Sequence, residues 1–154
     1  MKKNGFTLIE LLVVIAVAGI LILMAVLSLN GIQSKGRDAQ RMNDINNIHE
    51  VMKIINDETG SFKTACGGDN YEGLISECLG EGDDFQLVKY LDSISRINDP
   101  LEEVIACDSS CDQTPCNYNF ISIDDDSYEV RFWLERATTN FSRGCHVLNQ
   151  GGVE

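Results

Sequence analysis

The sequence predicts an α+β protein, with one long N-terminal helix packed on a small antiparallel β-sheet head. Three observations predict it. Residues 11–27 form an apolar run broken only by Gly19. Beyond Asn30, Ile32, Ala39, Met42, Ile45, Ile48, Met52 and Ile55 recur at helical spacing, and no proline occurs before Pro100. Near the C-terminus, Tyr128-Glu129-Val130-Arg131-Phe132-Trp133-Leu134-Glu135 alternates with the period of a strand.

The apolar run has the dimensions of a membrane segment. From Leu11 to Leu29 a helix rises about 28 Å, close to the thickness of a hydrocarbon core. Lys2 and Lys3 precede it, so the N-terminus is expected on the cytoplasmic side and the rest of the chain outside. An ordinary secretory signal fits poorly. Its apolar region is usually about 7–15 residues, and Val26-Leu27-Ser28 is a loose match to a small-x-small cleavage site. A plain membrane anchor is the stronger alternative, but Glu10 argues against it. A carboxylate in the hydrocarbon costs about 2.5–3.5 kcal/mol at a helix centre, less near an end, and calls for a partner. No base stands between Lys3 and Lys35 to provide one.

The stretch Lys2-Lys3-Asn4-Gly5-Phe6-Thr7-Leu8-Ile9-Glu10-Leu11 resembles the class III signal of type IV pilins and type II secretion pseudopilins. The resemblance implies that a prepilin peptidase cuts between Gly5 and Phe6 and methylates Phe6 as the new N-terminus. It also implies that Glu10 pairs with the N-terminal amine of a neighbouring subunit during assembly. An α-amine, with an ordinary pKa of about 7.7–8.0, is cationic at neutral pH. In a staggered parallel neighbour such a pair rewards the correct register and leaves a charge unpaired in a wrong one.

The second half of the helix is amphipathic. Ile32, Ala39, Met42, Ile45, Ile48, Met52 and Ile55 make its apolar stripe. Asp38 with Arg41, and Glu50 with Lys53, are expected on the other faces at i,i+3 spacing. Gly31 and Gly36 weaken the helix locally and suit a bend. Asp57-Glu58-Thr59-Gly60 reads as its end, with Gly60 as the cap. A single helix from Phe6 to Glu58 would be about 80 Å long. This layout is also similar to that of pilins, most closely in Arg37-Asp38-Ala39-Gln40-Arg41 and in Asn56-Asp57-Glu58-Thr59-Gly60-Ser61-Phe62. Leu27 stands where many type IVa pilins have a proline, which puts helix melting in a filament in doubt. The expected organisation is therefore a leader (1–5), a transmembrane and filament-core half (6–30), an amphipathic half (31–60) and an extracellular head (61–154).

In the head, residues 63–84 are glycine-rich and acidic and read as loops. Phe85, Val88, Leu91 and Ile94 predict a helix over 84–97, ended by Asp99-Pro100. Strands are expected at Cys116–Ile123, Tyr128–Glu135 and Cys145–Leu148, joined as an antiparallel meander, with Tyr128, Val130, Phe132 and Leu134 facing the helix. This arrangement resembles pilin heads only in plan.

The formal net charge is −12, and residues 59–154 carry 18 acids against six bases. Nucleic-acid binding is not expected, because phosphate contacts need clustered Lys and Arg. Cys66, Cys78, Cys107, Cys111, Cys116 and Cys145 are an even set in an exported domain and read as disulfides, with Cys66 and Cys78 the most local pairing and the connectivity otherwise open. A zinc site is disfavoured, since Cys107-x3-Cys111-x4-Cys116 lacks paired C-x2-C spacing and a nearby histidine. Asp124, Asp125 and Asp126 are weak candidates for Ca2+, better read as a solvated turn. Asn140-Phe141-Ser142 is a formal glycosylation sequon. His49 and His146 have no local nucleophile or ligand cluster, and no nucleophile-elbow, P-loop or H-E-x-x-H pattern is present, so no enzyme is expected.

By resemblance the chain is expected to be a structural subunit of a type IV pilus-like filament, stored in the cytoplasmic membrane and then moved to the cell surface. Its partners would be copies of itself and other pilins, the prepilin peptidase and, indirectly, an assembly platform and ATPase. A type II secretion pseudopilin and a membrane-anchored extracellular binding domain are the alternatives.

Overall fold

A computed structural model describes residues 7–154 except 69, 81, 92, 102–103 and 111–114, with the backbone alone for 25–30. Helix α1 (Leu8–Thr59) is followed by a 3-10 turn (Phe62–Ala65), strand β1 (Gly73–Leu74), a 3-10 turn (Ile75–Glu77), helix α2 (Gln86–Tyr90) and a third 3-10 turn (Ile94–Arg96). Strands β2 (Asn119–Ile123), β3 (Tyr128–Leu134), β4 (Gly144–Asn149) and β5 (Gly152–Val153) complete the chain. Two compact units result, residues 1–35 and 36–154.

In the first unit α1 stands alone. Its large apolar side chains from Leu8 to Met24 are 50–83% exposed. Among the described residues no helix is long and apolar enough to cross a membrane. The membrane run expected over residues 11–27 extends into 25–30, whose side chains lie outside the described residues.

In the second unit α1 has one buried stripe. Ile45, Ile48, Met52 and Ile55 are fully buried at alternating spacings of three and four, and Val51 widens the stripe. Ile32 and Ala39, expected on it, are exposed. The stripe's first two positions are instead Asp38 and Arg41, placed by the sequence on other faces but 4% and 0% exposed. α1 remains helical through Gly31 and Gly36. It ends where Gly60, at φ +75°, donates its N–H to Asn56 O at 2.8 Å. A left-handed residue is easiest for glycine, which has no Cβ to clash.

The sheet is an antiparallel meander in the order β1-β2-β3-β4-β5. Tyr128, Val130, Phe132 and Leu134 of β3 are buried with the α1 stripe in one core. Trp133, on the other face, is buried too, against Cys107, Cys116 and Cys145 in a second small cluster. β2 starts at Asn119, later than expected, because residues 117–118 serve other bonds. The Asn117 N–H donates to Ile105 O, and Asn117 O accepts from Cys107. A register shift between Phe120 and Ser122 lets Phe120 and Ile123, three apart, both reach the core.

The expected helix over 84–97 is broken into α2 and the third 3-10 turn. Leu91 leaves helical geometry at φ −115° and ψ 84°, and Ser93 is also non-helical. Leu87 and Ile94 are buried on either side of the break, which costs little in a β-branched and serine-rich stretch of weak helix propensity. The region read as loops, 63–84, contributes β1 and two 3-10 turns. Their ends are tied by the Cys66–Cys78 disulfide. Cys107 is bonded to Cys116, and Cys145 is also disulfide-bonded. Cys111 lies outside the described residues.

Candidate functional site: the N-terminal segment and the charged clasp

The start of α1 explains how Glu10 is accommodated. Thr7 is the N-cap and Glu10 the third helical residue. The Glu10 N–H donates to Thr7 Oγ1 at 3.3 Å, while Glu10 Oε2 accepts from the Thr7 N–H at 2.9 Å and from its hydroxyl at 2.8 Å. This is a capping box, in which two backbone donors at a helix start are satisfied reciprocally. The sequence reading sought a base for Glu10 and overlooked Thr7-x-x-Glu10, whose spacing carries the signal. The carboxylate is thus hydrogen-bonded within its own chain before any partner arrives. Gly5 and Phe6 lie outside the described residues.

Beyond the cap, 13 large apolar residues between Leu8 and Met24 are exposed. Burying each is worth roughly 1.5–3 kcal/mol, so covering them all releases on the order of 20 kcal/mol or more. That exceeds the whole stability of an ordinary domain, about 5–15 kcal/mol. A surface of this size needs lipid or other helices.

Within the second unit, α1 is fixed by a cluster of buried charges. Arg41 donates from Nε and Nη2 to Asp99 Oδ2 and Oδ1 at 2.7 and 2.8 Å. Its Nη1 donates to Asp38 Oδ1 and to Glu135 Oε1, both at 2.7 Å. Arg37 grips Glu135 through Nε and Nη2, both at 2.6 Å. The Asp38 carboxylate accepts the backbone N–H groups of Glu135 and Arg136 at 2.9 and 3.0 Å. Asp99 also accepts from the Leu101 N–H, and its own N–H donates to Asn117 Oδ1. One guanidinium therefore joins α1, the Asp-Pro corner and the end of β3. Burial by itself disfavours the Arg41 cation, but bonds to Asp99, Glu135 and Asp38 raise its pKa above the ordinary arginine value. The Arg37 hydrogen bonds hold Glu135 down to about 2, against an opposing effect of burial and with further help from Arg41. Nearby, burial raises Asp44, partly countered by the Tyr118 hydroxyl donated to it at 3.3 Å.

The sequence did not reveal this cluster. Its one available signal was the spacing of Ile55, Met52, Ile48 and Ile45, which extrapolates backward to Arg41 and Asp38. The other candidates are scattered. Asp125 accepts from the Ser61 hydroxyl at 2.7 Å and from Lys63 Nζ at 2.9 Å, fastening the β2–β3 turn to the end of α1. Asp124 bonds Ser127, and among the described residues no group of three His, Cys, Asp or Glu is placed to hold a metal ion. His49 Nδ1 lies 2.7 Å from the Tyr128 hydroxyl, and His146 is buried between Ser142 O and Glu154 O. Asn140 is exposed on the β3–β4 loop.

Residues 1–26 match the family model described as the prokaryotic N-terminal methylation motif. Neither the curated proteins nor the solved structures contain a match to the chain.

Proposed function

We propose, from the prokaryotic N-terminal methylation motif matched at residues 1–26, that this chain is a structural subunit of a type IV pilus-like filament. The prepilin peptidase removes residues 1–5 and methylates Phe6. The precursor is held in the cytoplasmic membrane by the apolar part of α1, with its N-terminus cytoplasmic and its head outside. It then joins a filament in which neighbouring α1 helices cover one another. The observation that carries this reading is that the matched motif itself contains a helical stretch, Leu8 to Met24, that exposes apolar residues on every side. Glu10 changes partner in this scheme. It rests in its own capping box and engages the amine of Phe6 of a neighbouring subunit on assembly.

The test is mass spectrometry of the mature protein together with shearing of the cell surface. Loss of residues 1–5, one methyl on Phe6 and sheared filaments containing this chain are the expected results. An intact or differently cut N-terminus would overturn the reading in favour of an anchored extracellular domain. A second reading, the type II secretion pseudopilin, has one observation in its favour. Leu27 takes the place of the proline found in many type IVa pilins, and α1 stays helical there. Processed protein without surface filaments, in cells whose secretion fails when the chain is deleted, would select it.

A further inference from the structure

Asn140-Phe141-Ser142 is the one Asn-x-Ser/Thr triplet in the chain. It lies on the β3–β4 loop, where residues 136–140, 142 and 143 are exposed. The loop around it is held in place. The Thr138 N–H donates to Phe141 O at 2.7 Å, and the Phe141 N–H donates to Thr138 Oγ1 at 3.0 Å. Phe141 is half-buried against the main core, edge-on to His146 with ring centroids 5.4 Å apart. Ser142 O lies 2.8 Å from His146 Nε2. The middle residue of the triplet therefore anchors it, while the side chains on either side stay in solvent.

Those two side chains make no hydrogen bond within the fold. In other loops of the head asparagines are bonded locally, the usual use of asparagine in turns. Asn98 Nδ2 donates to Ser95 O, Asn117 Oδ1 accepts from the Asp99 N–H, and Asn149 Oδ1 accepts from the Gly151 N–H. Among the described residues neither the Asn140 amide nor the Ser142 hydroxyl has such a partner. An accessible, unbonded asparagine with an accessible hydroxyl two residues on is the arrangement that N-linked glycan transfer requires.

We propose that Asn140 is a modification site that takes an N-linked glycan from an isoprenoid diphosphate carrier. In the transfer the Asn140 amide nitrogen bonds the anomeric carbon of the sugar. The bond from that carbon to the carrier's phosphate oxygen breaks, the diphosphate leaves with the bonding electrons, and one amide proton is released. The Ser142 hydroxyl is the group by which a transferase recognises the triplet. Transfer takes place outside the cytoplasmic membrane, so the site rests on the outward-facing head of the filament reading. It adds which surface of the head faces solvent, because a bulky, hydrated group on Asn140 keeps the β3–β4 loop out of contacts between subunits.

The test is peptide mass spectrometry on the full chain taken from its own cells. Trypsin releases residues 137–143 as one peptide. That peptide is expected above its sequence mass by whole sugar residues, with fragmentation placing them on Asn140. The added mass should be lost in Asn140→Gln and in Ser142→Ala and kept in Ser142→Thr, with cleavage after Gly5 unchanged in all three. An unmodified Asn140 in a chain that begins at Phe6 would overturn the site and leave the filament reading in place. Sugar that persists in Asn140→Gln and goes in Ser142→Ala would overturn the N-linkage in favour of the hydroxyl. A glycosylated Asn140 on a chain with an uncut N-terminus would overturn the filament reading and leave the site, and an unmodified Asn140 on an uncut chain would overturn both.

Discussion

The two units of the chain place their apolar residues in opposite ways. From Leu8 to Met24 the apolar side chains are outside, and the one acid is hydrogen-bonded to Thr7. From Gly36 onward the apolar side chains are inside, and a fully buried arginine is enclosed by three carboxylates. The contrast shows where each unit finds its stability. The head pairs its buried arginine with carboxylates and closes its own core. In the N-terminal unit the described apolar side chains from Leu8 to Met24 find no core of their own, so that surface is left to be covered from outside. Changes in the core and the clasp of the head should act on folding, and changes before residue 25 should act on association.

The largest effect is expected at the clasp. Arg41→Met leaves Asp99 and Asp38 buried without their cation, a loss typically of about 3–5 kcal/mol. Denaturation of the full chain in detergent, followed through the single tryptophan, Trp133, should show a lowered midpoint, whereas cleavage after Gly5 should persist. A midpoint unchanged within about 0.5 kcal/mol would mean that the clasp contributes nothing net. Adding Asp99→Leu to Arg41→Met should recover part of the loss, because both sides of the main pairing are then apolar.

Disulfide removal comes next. Cys107→Ser/Cys116→Ser removes the bond between two cysteines packed against Trp133. The expected cost is about 2–4 kcal/mol, accompanied by a red shift of tryptophan emission. Cys66→Ser/Cys78→Ser should cost a similar amount and leave the emission in place, since that bond lies in the main core. Equal emission shifts from both pairs would contradict two separate clusters.

Acid should weaken the head by a smaller amount. Glu135 has a folded pKa held to about 2, below its ordinary 4.5, chiefly by Arg37. A depressed carboxylate pKa contributes stability that is full above the unfolded value and is lost as pH falls through the folded one. The loss therefore runs from about pH 4.5 down to 2 and totals on the order of 2–3 kcal/mol. Glu135→Gln should flatten the stability profile across that window, and an unchanged profile would assign the acid sensitivity elsewhere.

How much of this could be read from the sequence depended on distance along the chain. The N-terminal motif and the alternation of β3 are contiguous, so their residues carry the pattern unaided. Gly60 gave the end of α1 because a left-handed cap is a local demand. The clasp could not be read in the same way. Arg41 meets Asp99 and Glu135 at separations of 58 and 94 residues. A charged residue on a helix also follows the usual preference for the surface until a tertiary partner overrides it. The helix expected over 84–97 is longer than α2 because Phe85, Val88, Leu91 and Ile94 keep helical spacing even though the backbone turns between them. The burial of Trp133 is not legible in the alternation, which marks one buried face, whereas Cys107, Cys116 and Cys145 cover the second.

The smallest change in stability should be the most informative about the N-terminal unit. Loss of the capping box costs about 1 kcal/mol of local helix stability and should leave the head untouched. Thr7→Val removes the hydroxyl, while Glu10→Gln keeps an oxygen acceptor of the same reach, since glutamine also serves in this box. If Glu10 acts only as a cap, Thr7→Val should impair filament yield and Glu10→Gln should not. If its charge is needed to meet a neighbour's amine, Glu10→Gln should stop assembly with the helix start intact, and Thr7→Val should assemble nearly normally. Helicity of the processed chain in detergent, read beside sheared filament yield, separates these cases. Failure of Glu10→Gln alone would establish that the carboxylate's own-chain bonds are a resting arrangement, replaced when a second subunit supplies the cation.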